Sequence, residues 1–216
     1  CIRFLRCCQQ VTVDAVSCGI QHLVLGHRIA IRHGIQPQTV ACQIHLSVNR
    51  HKGRLVRELI QCGADTLIRV GTSGGIDLRV VGGDLLIANA AIRSEGTSHE
   101  YIPDNYPAVA DFDVVCALKA AADELSTDED GNRAHVGVVH SKDNFYGEID
   151  PKNTAVPDKL CSAWEGYLKC GCLTSEMEAA AIFSVALLRR VRAGAVLTAL
   201  WNVERTNAGL PDKRCD

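Results

Sequence analysis

The sequence predicts an α/β fold in which one sheet carries helices on both faces. Short runs of β-branched and apolar residues alternate along the chain with segments of helical period. The predicted strands cover residues 66–70, 84–92, 135–140 and 193–200, and the predicted helices cover residues 55–62, 113–125, 158–169 and 179–190. This alternation favours a sheet covered on both faces. Ligands of such sheets bind at the loops beyond the strand ends.

Length and composition define the class of protein. The 216 residues are enough for one domain, residues 1–216, and a hydrophobic fraction of 47% supports a core. The net charge of −2 disfavours nucleic acid as the main partner. No apolar run approaches the roughly 18 residues that cross a bilayer, and the apolar run at residues 23–25 meets charge too soon for a secretory signal. We expect neither a nucleic-acid nor a membrane partner.

The eleven cysteines are an odd number, and none of them forms a C-x-x-C pair. We therefore predict reduced thiols in an intracellular, cytoplasmic protein, with no metal site. Most of these cysteines are expected to fill the core.

Residues 1–57 differ in composition from the rest of the chain. They carry a net charge of +7 against −9 for the remainder, with Asp14 as their only acid. Five of the eight histidines also lie there. Two interpretations stay open: a basic, solvated N-terminal lobe, or a stretch read in a changed frame relative to an ancestral gene. The first residue, Cys1, is not Met, which suggests a fragment or a processed product.

A glycine-rich segment at residues 68–75 (IRVGTSGG) begins in the first predicted strand and continues beyond its end at residue 70. We expect a loop here, because glycines let the backbone turn and approach a ligand closely. Backbone N–H groups and the planar donors of Arg69 suit an anion, and Thr72 adds a hydroxyl. The alternative is a tight turn with an exposed arginine, since neither the P-loop nor the Rossmann spacing is present.

Three segments together resemble the nucleoside phosphorylase family, most closely its uridine phosphorylase branch. They are residues 68–75, residues 93–98 (RSEGTS) with 106–112 (YPAVADF), and residues 175–180 (SEMEAA). The resemblance runs from about residue 55 to about residue 211, whereas residues 1–57 diverge. It implies a three-layer α/β/α sandwich with a central mixed sheet. It also implies a homodimer or hexamer with a role in nucleoside salvage and pyrimidine metabolism.

The resemblance assigns roles to the phosphate and ribose sites. Arg69 and Thr72, with Gly71, resemble the group that holds phosphate for attack on the sugar. Residues Glu176, Met177 and Glu178 resemble the ribose site, with the two carboxylates on one side of an extended segment. Two simpler explanations stay open. Acids are favoured at a helix N-terminus, and a methionine can merely fill a core.

The resemblance also assigns a base site. Phe145 resembles the aromatic that stacks on the base, with ordinary core packing as the alternative. Arg205 resembles a catalytic and base-binding arginine of the pyrimidine-specific branch. Glu148 stands near the position of a base-reading glutamine, and Lys152 or Asn153 stands near that of an arginine. A carboxylate facing the carbonyl oxygens of uracil would repel them, so this departure puts uracil specificity in question.

The predicted function is phosphorolysis of a pyrimidine nucleoside, without a cofactor and with inorganic phosphate as co-substrate. The alternatives are a purine nucleoside phosphorylase, a nucleosidase, or a truncated, non-catalytic relative. The family's Pro-Gly-Asp-Pro phosphate loop has no counterpart in residues 1–57, and the chain ends before the family's closing helix. We therefore expect a compromised phosphate site and irregular strand pairing in residues 1–57.

Overall fold

The computed structural model describes residues 39–42, 52–125 and 133–215, with the backbone alone for residues 39–42 and 52. The strands are β1 (Thr39–Cys42), β2 (Thr66–Gly75), β3 (Leu85–Ser94), β4 (Ala108–Val109), β5 (Ala134–Lys142), β6 (Thr174–Glu176) and β7 (Arg192–Asn202). The helices are α1 (Lys52–Gln61), α2 (Gly96–His99), α3 (Phe112–Leu125), α4 (Tyr146–Ile149), α5 (Pro157–Lys169), α6 (Ala179–Arg189) and α7 (Val203–Asn207), with a 3₁₀ turn at Pro151–Asn153. Strands and helices alternate as the sequence predicts.

The sheet is mixed, as expected, but its strands close into a ring. β2 pairs in parallel with β7, which pairs antiparallel with β3, and β3 continues in parallel to β5. The three-residue strand β6 joins β5 to β2 and completes the ring. The predicted three-layer sandwich is therefore not confirmed. The twist of long strands brings the two edges of such a sheet together, and a short strand is enough to connect them.

The strand β2 lies in the interior of the sheet, as predicted for residues 66–70. It pairs with β1 on one side, Ile68 opposite Ala41, and with β7 on the other, Ile68 opposite Gly194. Pairing with β1 is regular over its four residues, so the expected irregularity is not seen there. The same expectation for residues 1–38 and 43–51 lies outside the described residues.

The glycine-rich segment is strand, so the prediction of a loop after Val70 is wrong. β2 continues to Gly75 with one irregularity in its pairing with β7, between Ser73 and Gly74. None of these glycines has a positive φ. Gly71 and Gly75 serve close packing instead, since a Cβ on Gly75 would lie 2.9 Å from Nδ2 of Asn202 and one on Gly71 would lie 1.9 Å from Arg69.

The core consists of two clusters on opposite faces of the sheet. Alternate residues of a strand point to opposite faces, so Leu67 joins one cluster and Ile68 the other. The first cluster lies under α1 and the alanine-rich helix α6, and the second lies under α3. Helices thus cover both faces, as predicted.

Cysteines contribute less to this core than expected. Of the cysteines whose side chains the structure describes, only Cys172 is buried, and Cys62, Cys116, Cys161 and Cys170 are exposed. Within the described ranges, no helix is both long and apolar enough to cross a membrane.

Candidate active site

A cavity of about 610 Å³ opens at the carboxyl ends of β2, β5, β6 and β7. This is the edge at which ligands of α/β sheets bind. Eight of the nine predicted site residues line it: Arg69, Gly71, Thr72, Phe145, Glu148, Glu176, Met177 and Glu178. The fold therefore brings together residues that lie more than a hundred positions apart in the sequence.

Arg69 lines the cavity, with its side chain only 5% exposed. Its Nε donates to Oε2 of Glu176 at 2.9 Å, and its Nη2 donates to Oε2 of Glu178. Gly71, two residues further along the strand, lies under the guanidinium. A Cβ at this position would be 1.9 Å from Nη1 of Arg69. The glycine thus lets the arginine side chain lie flat along its own strand.

Glu176 is completely buried, and its two carboxylate oxygens are fully engaged. It accepts hydrogen bonds from the Ser141 hydroxyl, from the N–H of Glu178 at 2.8 Å and from the N–H of Ala179 at 3.0 and 3.1 Å. Burial opposes its charged form, but Arg69 and these donors still hold the pKa of Glu176 below its ordinary value. Glu176 therefore fixes Arg69 and the start of α6 with both of its oxygens, although it is also part of the cavity lining.

Glu178 is the carboxylate that reaches the cavity. Its side chain is 11% exposed, and it makes no capping hydrogen bond at the start of α6. Both acids lie where the helix N-terminus favours negative charge, but only Glu176 also accepts hydrogen bonds from the first N–H groups of α6. Met177 lies between them and lines the same cavity. The predicted placement of both carboxylates on one side of the segment is thus refined: one supports the site, and the other faces it.

A second buried ion pair lines the cavity near the carboxyl end of β2. Nζ of Lys142 donates to Oε2 of Glu148 and to Oγ of Ser175, which in turn donates to the same Glu148 oxygen at 2.6 Å. Nζ lies 5.8 Å from the ring centroid of Phe145, a side chain that is partly exposed to the cavity. Lys142 and Glu148 also line a neighbouring cavity of about 810 Å³, so the pair separates the two spaces.

Sequence reasoning missed Lys142, Ser175, Trp201 and Arg214, which also line the cavity. The signal for Lys142 was its place two residues beyond the end of a strand predicted over residues 135–140. That strand runs to Lys142 and not to His140, which turns the lysine into a strand-end residue facing the site.

Arg205 is the predicted site residue that the structure does not bring to the cavity. Its Nε donates to the carbonyl oxygen of Pro211 at 2.8 Å, and its Nη1 donates to that of Leu78. The side chain of Asn202 caps α7 by accepting from the N–H groups of Glu204 and Arg205. This cap sets the direction of the short helix. Arg205 then links the segments that contain Leu78 and Pro211 through its hydrogen bonds to their carbonyl oxygens. Its guanidinium is thus bound to backbone carbonyl oxygens, and its catalytic and base-binding role stays a prediction.

The formal charges of the described cavity lining balance. Arg69 with its two carboxylates carries −1, the Lys142–Glu148 pair is neutral, and the exposed Arg214 adds +1. Beside this lining, burial and then the charge of Lys142 lower the pKa of His140 to about 4. His140 is therefore neutral at pH 7. It stacks on Tyr167 with ring centroids 4.5 Å apart.

Comparison with known proteins identifies the class. A family model described as the phosphorylase superfamily matches residues 23–210. The chain belongs to this superfamily, as the resemblance predicts. The matched region begins within the segment 1–57, whose divergence from the family stays a prediction.

Comparison with individual proteins shows which members of the superfamily the chain resembles. The chain is 48% identical to a uridine phosphorylase of Treponema pallidum over 157 residues, which are 73% of this chain and 59% of the relative. It is 40% identical to a uridine phosphorylase of Thermococcus kodakarensis over 149 residues, or 68% of this chain and 52% of the relative. A guanosine phosphorylase of Halorubrum lacusprofundi is 36% identical over 152 residues, covering 70% of this chain and 56% of the relative. The chain thus spans little more than half the length of these relatives.

Proposed function

We propose that the chain catalyses phosphorolysis of a uridine-like pyrimidine nucleoside to free base and ribose 1-phosphate. The observation that carries this proposal is the convergence of Arg69, Thr72, Phe145 and Glu178 on one cavity. Its volume of about 610 Å³ is in the usual range for a small-molecule site. The similarity to proteins named uridine phosphorylase supports the same reaction.

In the proposed reaction, a phosphate oxygen forms a bond to C1′ of the ribose while the bond from C1′ to the base nitrogen breaks. The bonding electron pair leaves with the base, and the proton that the phosphate gives up reaches the base. The sugar carries positive charge in the transition state. Glu178 stabilises that charge and accepts from the ribose hydroxyls, while Arg69 and Thr72 hold the phosphate in line. Phe145 stacks on the base.

Phosphate binding by Arg69 is weak in this proposal. Its Nε and one N–H of Nη2 are bound to carboxylates, which leaves the two N–H groups of Nη1, above Gly71, and the second N–H of Nη2 for an anion. The net charge of −1 on this cluster disfavours a dianion. Arg214, which also lines the cavity, is the cation best placed to offset it.

The remaining parts of the proposal rest on the family resemblance. They are a role in nucleoside salvage and pyrimidine metabolism, a cytoplasmic location, assembly as a homodimer or hexamer, and inorganic phosphate as co-substrate without a cofactor. The guanosine phosphorylase among the relatives favours a purine phosphorylase as the second candidate.

A variant assay tests the role of the cavity. Uracil release from uridine, and guanine release from guanosine, are measured with and without phosphate. Glu178→Gln is expected to lower kcat about 10²–10³-fold, because a neutral amide cannot stabilise positive charge on the sugar. The control is Glu165→Gln, which changes a carboxylate on α5 that is 68% exposed. Equal rates for Glu178→Gln and wild type would contradict the proposed site, and a faster reaction with guanosine would favour the second candidate.

A further inference from the structure

The second cavity, of about 810 Å³, lies between the helix α5 and the carboxyl ends of the parallel neighbours β3 and β5. The helix lines it with an apolar stripe at the spacing of one helical face, which consists of Leu160, Ala163, Trp164, Tyr167 and Leu168. None of the residues of α5 is buried. Protein interiors are normally close-packed, so this stripe has room for a further apolar group.

Polar contacts hold α5 at its distance from the sheet. Nε1 of Trp164 donates to Oε1 of Glu204 at 2.9 Å, and the hydroxyl of Tyr167 lies 3.1 Å from that of Ser94. The ring of Tyr167 also packs on the ring of His140, with the centroids 4.5 Å apart. Specific contacts at two successive turns of the helix therefore keep the space beneath it open.

His140, only 7% exposed, presents a hydrogen-bond acceptor to this cavity. The hydroxyl of Ser175 donates its one proton to Glu148 at 2.6 Å, so it can only accept from Nδ1 of His140, 3.4 Å away. Burial holds the pKa of His140 at about 4, so the ring is neutral at pH 7 and Nε2 carries a lone pair. Nε2 has no hydrogen-bond partner among the described residues. In the same part of the chain, Oγ of Ser184 is the one sealed side-chain polar atom without a partner, so Nε2 is open to the cavity.

Glu204 supplies a second acceptor. Its Oε1 accepts from Trp164, and its Oε2 accepts no hydrogen bond from the residues that the structure describes. Glu204 is held beside Trp164 and His140 beside Tyr167, and these two aromatic residues are one turn apart on α5. Both acceptors therefore lie along the same turn of the helix, next to aromatic rings.

The charges around the second cavity favour a positively charged ligand. Five acidic and three basic side chains line it, which gives a formal charge of −2 with the histidines neutral. Of the bases, Lys142 is paired with Glu148, and Arg93 donates to Ser98 and to backbone carbonyl oxygens. Lys159, the third base, is exposed. The field in the cavity thus attracts a cation.

We propose that the second cavity binds a small organic cation, in which a primary ammonium group is attached to an apolar or aromatic body. The ammonium donates to Nε2 of His140 and to Oε2 of Glu204, and it lies against the rings of Trp164 and Tyr167. The body of the ligand packs under the apolar stripe of α5. The pair formed by Lys142 and Glu148 separates this site from the first cavity, so the inference does not depend on the proposed function.

The two tryptophans of the chain report on the two cavities separately. Trp164 lines the second cavity and Trp201 lines the first. The variant Trp201→Phe leaves Trp164 as the only fluorescent tryptophan, and Trp164→Phe leaves Trp201. Each protein is titrated with 2-phenylethylamine and with its uncharged analogue 2-phenylethanol at pH 7.

We expect a saturable change of the Trp164 fluorescence with the amine and at least about 10-fold weaker binding of the alcohol, which lacks the charge. No saturable change at Trp164, or equal affinity for the two compounds, would overturn the inference. A saturable change at Trp201 alone would place the amine in the first cavity and would overturn it as well.

A second test changes the acceptors in the Trp201→Phe protein. Glu204→Gln keeps an oxygen for Nε1 of Trp164 and removes the charge, and His140→Phe keeps a ring against Tyr167 and removes Nε2. Each variant is expected to bind the amine about 10-fold more weakly and the alcohol with unchanged affinity. The control is Glu100→Gln, which removes an exposed carboxylate that lines neither cavity. Unchanged affinity for the amine in either acceptor variant would contradict the assignment.

Discussion

Replacement of Gly71 by alanine tests how the fold holds Arg69. A Cβ at position 71 would lie 1.9 Å from Nη1 of Arg69, whereas real Cβ atoms keep at least 3.0 Å from such neighbours. Nη1 must therefore move by about 1.1 Å. Because the guanidinium is a rigid plane, a shift of that size also displaces Nε and Nη2 and misaligns their hydrogen bonds to Glu176 and Glu178. The carboxylates of Glu176 and Glu178 would then lose their buried partner.

The change in the free energy of unfolding for Gly71→Ala is the sum of two effects of opposite sign. Loss of one partner from a buried ion pair costs about 3–5 kcal/mol. Alanine in place of glycine returns about 0.4–1 kcal/mol by restricting the unfolded chain, and Gly71 has no positive φ to forbid it. The expected result for Gly71→Ala is a net loss of about 3 kcal/mol in the free energy of unfolding.

Urea unfolding at pH 7, followed by circular dichroism, measures this loss. The matched control is Gly166→Ala on α5, where a Cβ would meet nothing within 4 Å. It is expected to gain up to about 1 kcal/mol from helix propensity. If Gly71→Ala were as stable as wild type and bound phosphate with the same affinity, the arginine would not lie over this glycine in solution and the reasoning would be refuted.

Two further predictions concern stability. The pKa of His140 falls from 6.5 to about 4 in the folded protein. The stability that neutral His140 contributes to the fold is therefore complete above pH 6.5 and is lost as the pH falls toward 4. The loss is about 3 kcal/mol at most, and His140→Gln should flatten the stability profile over that range in urea titrations. An NMR titration showing a pKa near 6.5 for His140 would contradict it. Asn202→Ala should cost about 3 kcal/mol, because buried Asn202 donates to the carbonyl oxygens of Asp77 and Val80 and caps α7. Thermal unfolding measures this, and an unchanged midpoint would mean that these bonds add nothing.

Local pattern was sufficient for much of the fold. The alternation of strand and helix, the interior place of residues 66–70 and the helices on both faces all follow from periodicity and burial. Closure of the sheet did not, because it depends on β6, three residues that pair with two distant strands. A strand of that length has no periodicity to detect. The glycines of β2 led to the wrong prediction of a loop, because glycine occurs both in tight turns and where two segments pack closely.

The sequence predicted which residues form the candidate site better than it predicted the role of each residue. Arg69, Glu176 and Glu178 do converge, but only the structure separates the buried carboxylate from the one that faces the cavity. Lys142 was missed because strand ends are uncertain by a few residues, and two residues decide which side chain stands at the sheet edge. The direction of Arg205 depends on the cap formed by Asn202, which is a matter of side-chain geometry and not of sequence pattern.

The most direct test of phosphorolysis at this cavity is product analysis by ³¹P NMR for ribose 1-phosphate and by ¹H NMR for uracil. Protein is incubated with uridine and inorganic phosphate, and a parallel sample contains uridine without phosphate. The proposal predicts uracil and ribose 1-phosphate in equal amounts in the first sample and no uracil in the second. Release of uracil without phosphate would identify a nucleosidase, and no release in either sample would show that this chain does not act on uridine.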